Sequence, residues 1–233
     1  MRISTPNELC RWRAATFSAK EPETIAWIDS IPRESTLWDI GANVGLFSVY
    51  AAKRGVARVV AIEPSIFNLP ELARNIEING LQESIRVVPL PLFAVSGPGT
   101  LHMSTTAIGG ALSTFQERFG FDGKPLDCKF SYPTVGVSAD DLVERLGVPK
   151  ADYMKIDVDG IEHLVLAGAS RLLSAVRGVL IEVNMDFTAQ ARDVEKALAN
   201  GGLQKREVHP ASDVAMGSGT ALRIENQIWT RPQ

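Results

Sequence analysis

The residues best suited to chemistry begin at Leu37-Trp38-Asp39-Ile40-Gly41-Ala42-Asn43-Val44-Gly45-Leu46-Phe47-Ser48, in the 233-residue chain. This stretch joins an apolar run, an acid, a glycine-spaced turn and the first turn of an apolar helix. Glycine lets a ligand lie against bare backbone at a helix N-terminus, because no β-carbon intervenes. A pyrophosphate at such a turn calls for Gly-x-Gly-x-x-Gly, whose N–H groups and dipole favour negative charge. Here the spacing is Gly-x-x-x-Gly, and Asp39 stands two residues before the first glycine. That arrangement suits a ligand carrying a cation, with Asp39, Gly41, Ala42, Asn43 and Gly45 as its candidate contacts. A second β-like run, Arg58–Ile62, ends in Glu63-Pro64-Ser65. A carboxylate at that strand tip can accept hydrogen bonds from both hydroxyls of a ribose. The plain alternative is a structural turn and a solvated glutamate.

Two later strand ends supply candidate reactive groups. Tyr153-Met154-Lys155-Ile156-Asp157-Val158-Asp159-Gly160-Ile161-Glu162-His163 crowds three acids, a glycine and a histidine into a strand-to-helix turn. An acid ending a buried strand is costly unless it binds or reacts with something, which singles out Asp157. Ile181-Glu182-Val183-Asn184 is the second end, with Asp186 just beyond. If the two strands are neighbours, Asp157, Glu182 and Asn184 converge as oxygen ligands for Mg²⁺ or another hard divalent ion. The bland readings make Asp159-Gly160 a cap and turn, Glu162 a favourable first-turn charge, and His163 a packed helix residue rather than a base. His102 and His209 read as loop histidines.

The elements that must position these groups alternate. A Ser18–Glu21 capping pattern with Pro22 opens a short helix within a helical extension over residues 1–35. Strand Thr36–Ile40, a helix stopping at Gly55 and strand Arg58–Ile62 follow. Next come a helix over Pro70–Asn79 with Gly80 as its cap and a strand over Ile85–Val88. Residues 96–137 break the alternation, with β-like runs at Thr100–Met103 and Lys129–Val137 and a bent loop or short strand near Gly109–Phe115. This β-rich insertion reads as a substrate lid. Ser138 caps a helix ending near Gly147. Strand Asp152–Asp157, a helix over Ile161–Leu172, strand Val179–Asn184 and a helix over Ala189–Ala199 complete the alternation. Leu203–Val208 and Arg223–Thr230 close the chain as an antiparallel pair joined by a Gly/Ser loop. The sum is one α/β domain over 1–233, a doubly wound Rossmann-like sheet, mostly parallel.

Composition excludes several classes. A formal charge of −3 argues against general attraction to nucleic acid or anionic membrane. Cys10 and Cys128 are too few for a disulfide framework or a cysteine zinc site. No apolar run reaches the ~20 residues of a membrane span, and the N-terminus lacks a signal-peptide core. The chain reads as a cytoplasmic protein.

The glycine turn and Glu63 together resemble the nucleoside-binding half of class I S-adenosylmethionine-dependent methyltransferases. In that group the turn holds the methionine portion and the second-strand acid holds the ribose. The resemblance narrows with Asp157-Val158-Asp159-Gly160-Ile161-Glu162, Val165-Leu166-x-Gly168-Ala169 and Leu180–Asn184, which are similar to the FkbM family. That family's Asp-Ile-Gly-Ala-Asn-x-Gly stands intact at Asp39–Gly45, and Ser138–Leu142 matches a family helix start, with Ala139 where Leu is usual. Asp159 stands where the family commonly has Glu. The resemblance spans residues 20–230. It implies an O-methyltransferase that uses S-adenosylmethionine, acts on a sugar of a glycan or a secondary-metabolite hydroxyl and, by family habit, forms a homodimer.

On this reading the methyl passes in line to a substrate hydroxyl whose proton is taken by a base, removed with help from a metal, or both. Asp157 is base or metal ligand and His163 the alternative base. Asp159 stays a catalytic candidate, and Glu182 with Asn184 makes metal or substrate contacts. Leu92 and Phe93, after the third strand, flank the adenine, while Pro64 and Ser65 extend the ribose site. Two rivals remain: a protein that binds the cofactor without turnover, and a nicotinamide-dependent oxidoreductase, which would predict Gly-x-Gly-x-x-Gly.

Overall fold

The computed structural model describes residues 1–211 and 222–232. In chain order the elements are α1 (Glu8–Lys20), α2 (Pro22–Ser30), β1 (Thr36–Ile40), α3 (Leu46–Arg54), β2 (Arg58–Ile62), α4 (Leu69–Glu77) and β3 (Ile85–Val88). Then come β4 (Gly97–Met103), β5 (Ser113–Phe115), β6 (Phe130–Gly136), α5 (Ala139–Glu144), β7 (Tyr153–Ile156), α6 (Glu162–Ala167) and α7 (Ser170–Leu173). The last elements are β8 (Gly178–Asn184), α8 (Thr188–Asn200), β9 (Gln204–Pro210) and β10 (Ile224–Thr230).

Seven strands form one sheet in the order β3-β2-β1-β7-β8-β10-β9. The first five are parallel, and β10 runs antiparallel to both β8 and β9. β1 is buried at every position, as befits a central strand covered on both faces. One core cluster is built around Trp38, Ile40, Met154 and Ile156, and another around Leu37, Val59, Ala61 and Leu180. Chain order reverses between β1 and β7, so the crevice at their carboxyl ends is where a ligand of this fold class sits. β4, β5 and β6 form a separate three-stranded antiparallel sheet, entered and left beside the bridge between Leu92 and Val137. This is the insertion expected at 96–137.

The helices differ from the sequence reading at two places. Ser18 does not cap a helix: it lies inside α1, and Glu21 separates α1 from α2. Pro22 does open α2, where its missing N–H costs nothing. The single helix expected over Ile161–Leu172 is two short helices broken at Gly168-Ala169. A β-carbon on Gly168 would meet the Phe93 carbonyl oxygen at 2.2 Å, so the chain bends where the backbone after β3 passes. The expected Gly/Ser loop between β9 and β10 lies mostly outside the described residues.

The α5–α7 corner rests on Asp140. Its buried carboxylate accepts from the N–H groups of Leu172 (2.8 Å) and Arg171 (3.1 Å). Asp140→Ala leaves both donors without this acceptor and is expected to cost ~1–3 kcal/mol. Urea unfolding would measure it, and a midpoint equal to wild type would refute this anchoring role.

Candidate active site

The carboxyl ends of β1, β2 and β7 open onto one cleft with an empty volume of about 670 Å³, its mouth included. Gly41, Asn43, Glu63, Asp157 and Asp159 line its polar side, and Ile62, Leu92, Leu101, Phe115 and Ile161 its apolar side. A cleft that sets a few convergent polar groups against an apolar wall suits a small-molecule ligand.

The glycine turn is shaped first by the protein itself. Gly41 has φ +82°, and a β-carbon there would lie 1.8 Å from the Asp157 carbonyl oxygen. The turn after β1 is therefore packed directly on the end of β7. Asn43 follows with φ +51°, donates from its amide to the Gly110 carbonyl (2.7 Å), and donates from its N–H to Glu63 Oε2 (2.8 Å). Glu63 is buried, and its Oε1 accepts from the Ser65 N–H (2.8 Å). Burial pushes the Glu63 carboxyl up to about 7, against the pull of these hydrogen bonds.

The end of β7 carries the densest charge. Lys155 is 2 % exposed, on a strand between β1 and β8. Its Nζ donates to Asp157 Oδ2 (3.3 Å) and lies 4.9 Å from the Phe47 ring centroid. Burial opposes its charge, but Asp157, Asp39 and Glu21 outweigh that and raise its pKa. Asp157 is conversely held below the ordinary carboxylate range, because Lys155 overcomes its desolvation. Asp159, at φ +59°, accepts from the N–H groups of Leu112 (2.7 Å) and Ser113 (3.3 Å). Burial and the neighbouring Asp157 push it up to about 6. Glu162 closes the same turn, accepting from Val158 and Gly160 N–H (3.2 Å each) and from the Gln190 amide. Its role is thus the structural one.

A strap from the insertion crosses the cleft. The Gly110 carbonyl accepts from both Asn43 and Asn68 (3.1 Å), and the Gly109 N–H donates to Asn68 Oδ1 (2.9 Å). Asn7, which caps α1, donates to the Ile108 carbonyl (2.9 Å), and Arg13 Nε within α1 donates to the Gly109 carbonyl (2.7 Å). A second pocket adjoins the first, sharing Arg13, Asp157 and Asp159 and adding Lys20, Glu21, Phe121 and Glu182.

Several predicted site residues stand elsewhere. Asp39 is 1 % exposed and turned inward, accepting from Ser48 Oγ on α3 at 2.5 Å, so it ties helix to sheet rather than facing the cleft. Ala42 and Ser65 are buried beside the cleft without lining it, and Gly45 packs against Leu72. Pro64 and Leu92 do line the cleft, whereas Phe93 stands edge-on to Phe115 at 5.3 Å between ring centroids. His163 packs against Phe187 at 6.4 Å and lines neither pocket. It sits on the side of α6 that faces the start of α8.

The expected metal set is not assembled. Asn184 spends its amide on the Phe121 carbonyl (2.9 Å) and its oxygen on the Asp186 N–H (2.9 Å), leaving Asp157 and Glu182 without it. Among the described residues no three His, Cys, Asp or Glu side chains are grouped to hold a metal ion. The residues that sequence reasoning missed are Lys155, Asn68 and Arg13. Only Lys155 left a signal, a lone cation inside the apolar strand Tyr153-Met154-Lys155-Ile156.

The buried carboxyls make stability depend on pH. A carboxyl whose pKa is raised on folding takes up protons as the chain folds. The stability linked to that uptake is full below the unfolded pKa and lost as pH rises through the folded one. Glu63 and Glu162 (about 7), Asp159 (about 6) and Glu182, raised well above its ordinary value by burial, all act this way. His102 and His163, lowered by burial, act oppositely but are fewer. The thermal midpoint is expected to fall by ~3–10 °C from pH 5 to pH 8. Calorimetry showing a flat or rising midpoint would contradict it.

Among the described residues no helix is long and apolar enough to cross a membrane. Comparison with known proteins agrees with the fold. The hexuronic acid methyltransferase AglP of Haloferax volcanii is 25% identical over 192 residues, covering 82% of this chain and 73% of its own. The methyltransferase sdnD of Sordaria araneosa is 29% identical over 177 residues, covering 66% of this chain and 68% of its own. Streptococcus pneumoniae Sp1610, solved in complex with S-adenosyl-L-methionine, superposes with a TM-score of 0.52 at 14% identity, over 91% of this chain and 73% of that one. The profile of the methyltransferase FkbM domain matches residues 39–204, from the acid of the glycine turn to the first residue of β9. The chain belongs to the FkbM methyltransferase family.

Proposed function

We propose that the protein is an S-adenosylmethionine-dependent O-methyltransferase acting on a hydroxyl of a small molecule, a sugar of a glycan in the first instance. The observation that carries the reading is the cleft itself. A buried carboxylate, Glu63, stands at the tip of β2 beside an apolar slot, with Asp157 and Asp159 across from it. This donor set fits the cofactor. Glu63 suits a ribose diol, the slot beside Leu92, Leu101 and Phe115 suits an adenine, and the paired acids suit the sulfonium and ammonium charges. The bound cofactor supplies an electrophilic methyl. The chain's own work is to hold the acceptor oxygen in line with it, exclude water and receive the proton.

The strap over residues 108–113 is the lid of this site, and the second pocket is the acceptor site. The sugar-directed name of the Haloferax relative supports a carbohydrate acceptor. The test is isothermal titration of S-adenosylmethionine and of NAD(H) into the protein. It is followed by transfer assays on hydroxylated acceptors with and without EDTA. S-adenosylmethionine alone is expected to bind, and EDTA to leave transfer unchanged. Failure to bind it would sink the reading, and binding of NAD(H) instead would support the oxidoreductase alternative.

A further inference from the structure

We propose that Glu182 is the group that receives the proton of the acceptor hydroxyl, an inference that rests on the methyltransferase reading above. It follows from what the other carboxylates facing the two pockets already do. Glu63 is spent on the Asn43 and Ser65 N–H groups and lines only the cofactor cleft. Asp159 is clamped by the Leu112 and Ser113 N–H groups of the strap. Glu21 is paired with Lys20 (3.7 Å) and bonded to Thr24 (3.1 Å). Asp157 is ion-paired to the buried Lys155, whose charge stabilises its anion and so weakens it as a proton acceptor. Among the described residues the Glu182 side chain makes no hydrogen bond and no ion pair, and it lines the acceptor pocket but not the cofactor cleft.

Its position is also fixed. β8 pairs on one side with β7 as far as Ile181, opposite Ile156, and on the other with β10, where Asn226 stands opposite Glu182. One residue past the last β7 pair, Glu182 therefore sits beside Asp157 at the shared pocket wall. A reactive group on a strand, here paired with β10 at its own position, is held more rigidly than one on a loop. In the step assigned to it, the acceptor oxygen forms a bond to the methyl carbon. That carbon's bond to sulfur breaks, with the electron pair remaining on sulfur, and the hydroxyl proton passes to the Glu182 carboxylate. Asp157, kept anionic by Lys155, remains at the wall to face the cofactor's positive charge.

The experiment uses the full chain with S-adenosylmethionine and the methyl glycosides of glucose, glucuronic acid and rhamnose, on whichever is methylated. Glu182→Gln keeps the side-chain shape and is expected to lower kcat by ~100-fold or more. S-adenosylmethionine affinity should stay within about threefold, since the residue is outside that cleft. Affinity of the acceptor for the S-adenosylhomocysteine complex, read by titration, should also change less than about threefold, and Glu182→Asp should regain part of kcat. The inference is overturned if Glu182→Gln keeps kcat within about threefold of wild type. It is equally overturned if only KM rises, or if added Mg²⁺ restores the rate. A wild-type chain that binds S-adenosylmethionine yet methylates none of the three glycosides would overturn the sugar acceptor. One that binds no S-adenosylmethionine would overturn the parent reading and this one with it.

Discussion

Lys155→Met is expected to destabilise the protein by ~3–5 kcal/mol, the cost of removing one partner from a buried charge cluster. The lysine lies 2 % exposed between two carboxylates of opposite accessibility: Asp39 is sealed, while the Asp157 side chain is 33 % exposed. Methionine fills most of the volume, so little of the loss comes from a cavity. The loss comes from leaving Asp39, whose Oδ1 already has no hydrogen-bond partner, without the nearby cation. For a chain of this size the thermal midpoint should fall by ~6–20 °C. The charge argument makes a second demand. Lys155→Met combined with Asp39→Asn should recover part of the loss, because the amide carries no charge to strand. A single variant within ~1 kcal/mol of wild type would show that the cluster contributes little. A double variant no more stable than the single would show that Asp39 is not the group left stranded.

Glu63→Ala is expected to weaken S-adenosylmethionine binding by ~1–3 kcal/mol, or roughly 5–150-fold, if the carboxylate accepts both ribose hydroxyls. The residue also orders its own surroundings, because Asn43 and Ser65 each donate an N–H to it. Glu63→Gln is therefore the companion variant, keeping one oxygen acceptor in place while removing the charge. With the carboxyl pushed up to about 7, the wild-type affinity should also rise from pH 6 to pH 8 as the stronger, ionised acceptor forms. The alanine variant should lose this pH dependence. Titration calorimetry measures both effects. Equal affinities in wild type and Glu63→Ala would remove Glu63 from the ribose site.

Much of this protein is decided locally, and that part was legible in the chain. Gly55 ends α3 in the left-handed conformation, Ser138 caps α5 by accepting from the Asp141 N–H, and Pro22 opens α2. Each effect acts within a few residues, so residue type and spacing suffice. The strand directions were legible for a related reason. Strand-helix alternation forces a parallel sheet, and the two consecutive runs at the end return antiparallel. Gly41, Asn43, Glu63, Asp157 and Asp159 duly meet at one cleft, because the turns following β1, β2 and β7 all open at the same edge.

Only the tertiary structure decided which way those groups face. A strand alternates its side chains, but the sequence does not say which set meets the ligand and which meets a packed helix. Asp39 therefore reads as a binding residue and turns out to hold Ser48 on α3, while Lys155 passes unremarked and turns out to balance the site's charge. His163 follows the acids in sequence, yet α6 turns it toward Phe187. Asn184 ends the right strand, yet its amide is taken up by Phe121 of the insertion. The role of α1 was hidden for a different reason. Cys10 is its only buried residue, so no apolar stripe announces the helix, and its anchors, Asn7 and Arg13, bond to a strap about a hundred residues away. Contacts of that separation depend on how the whole chain closes, and no local pattern encodes them.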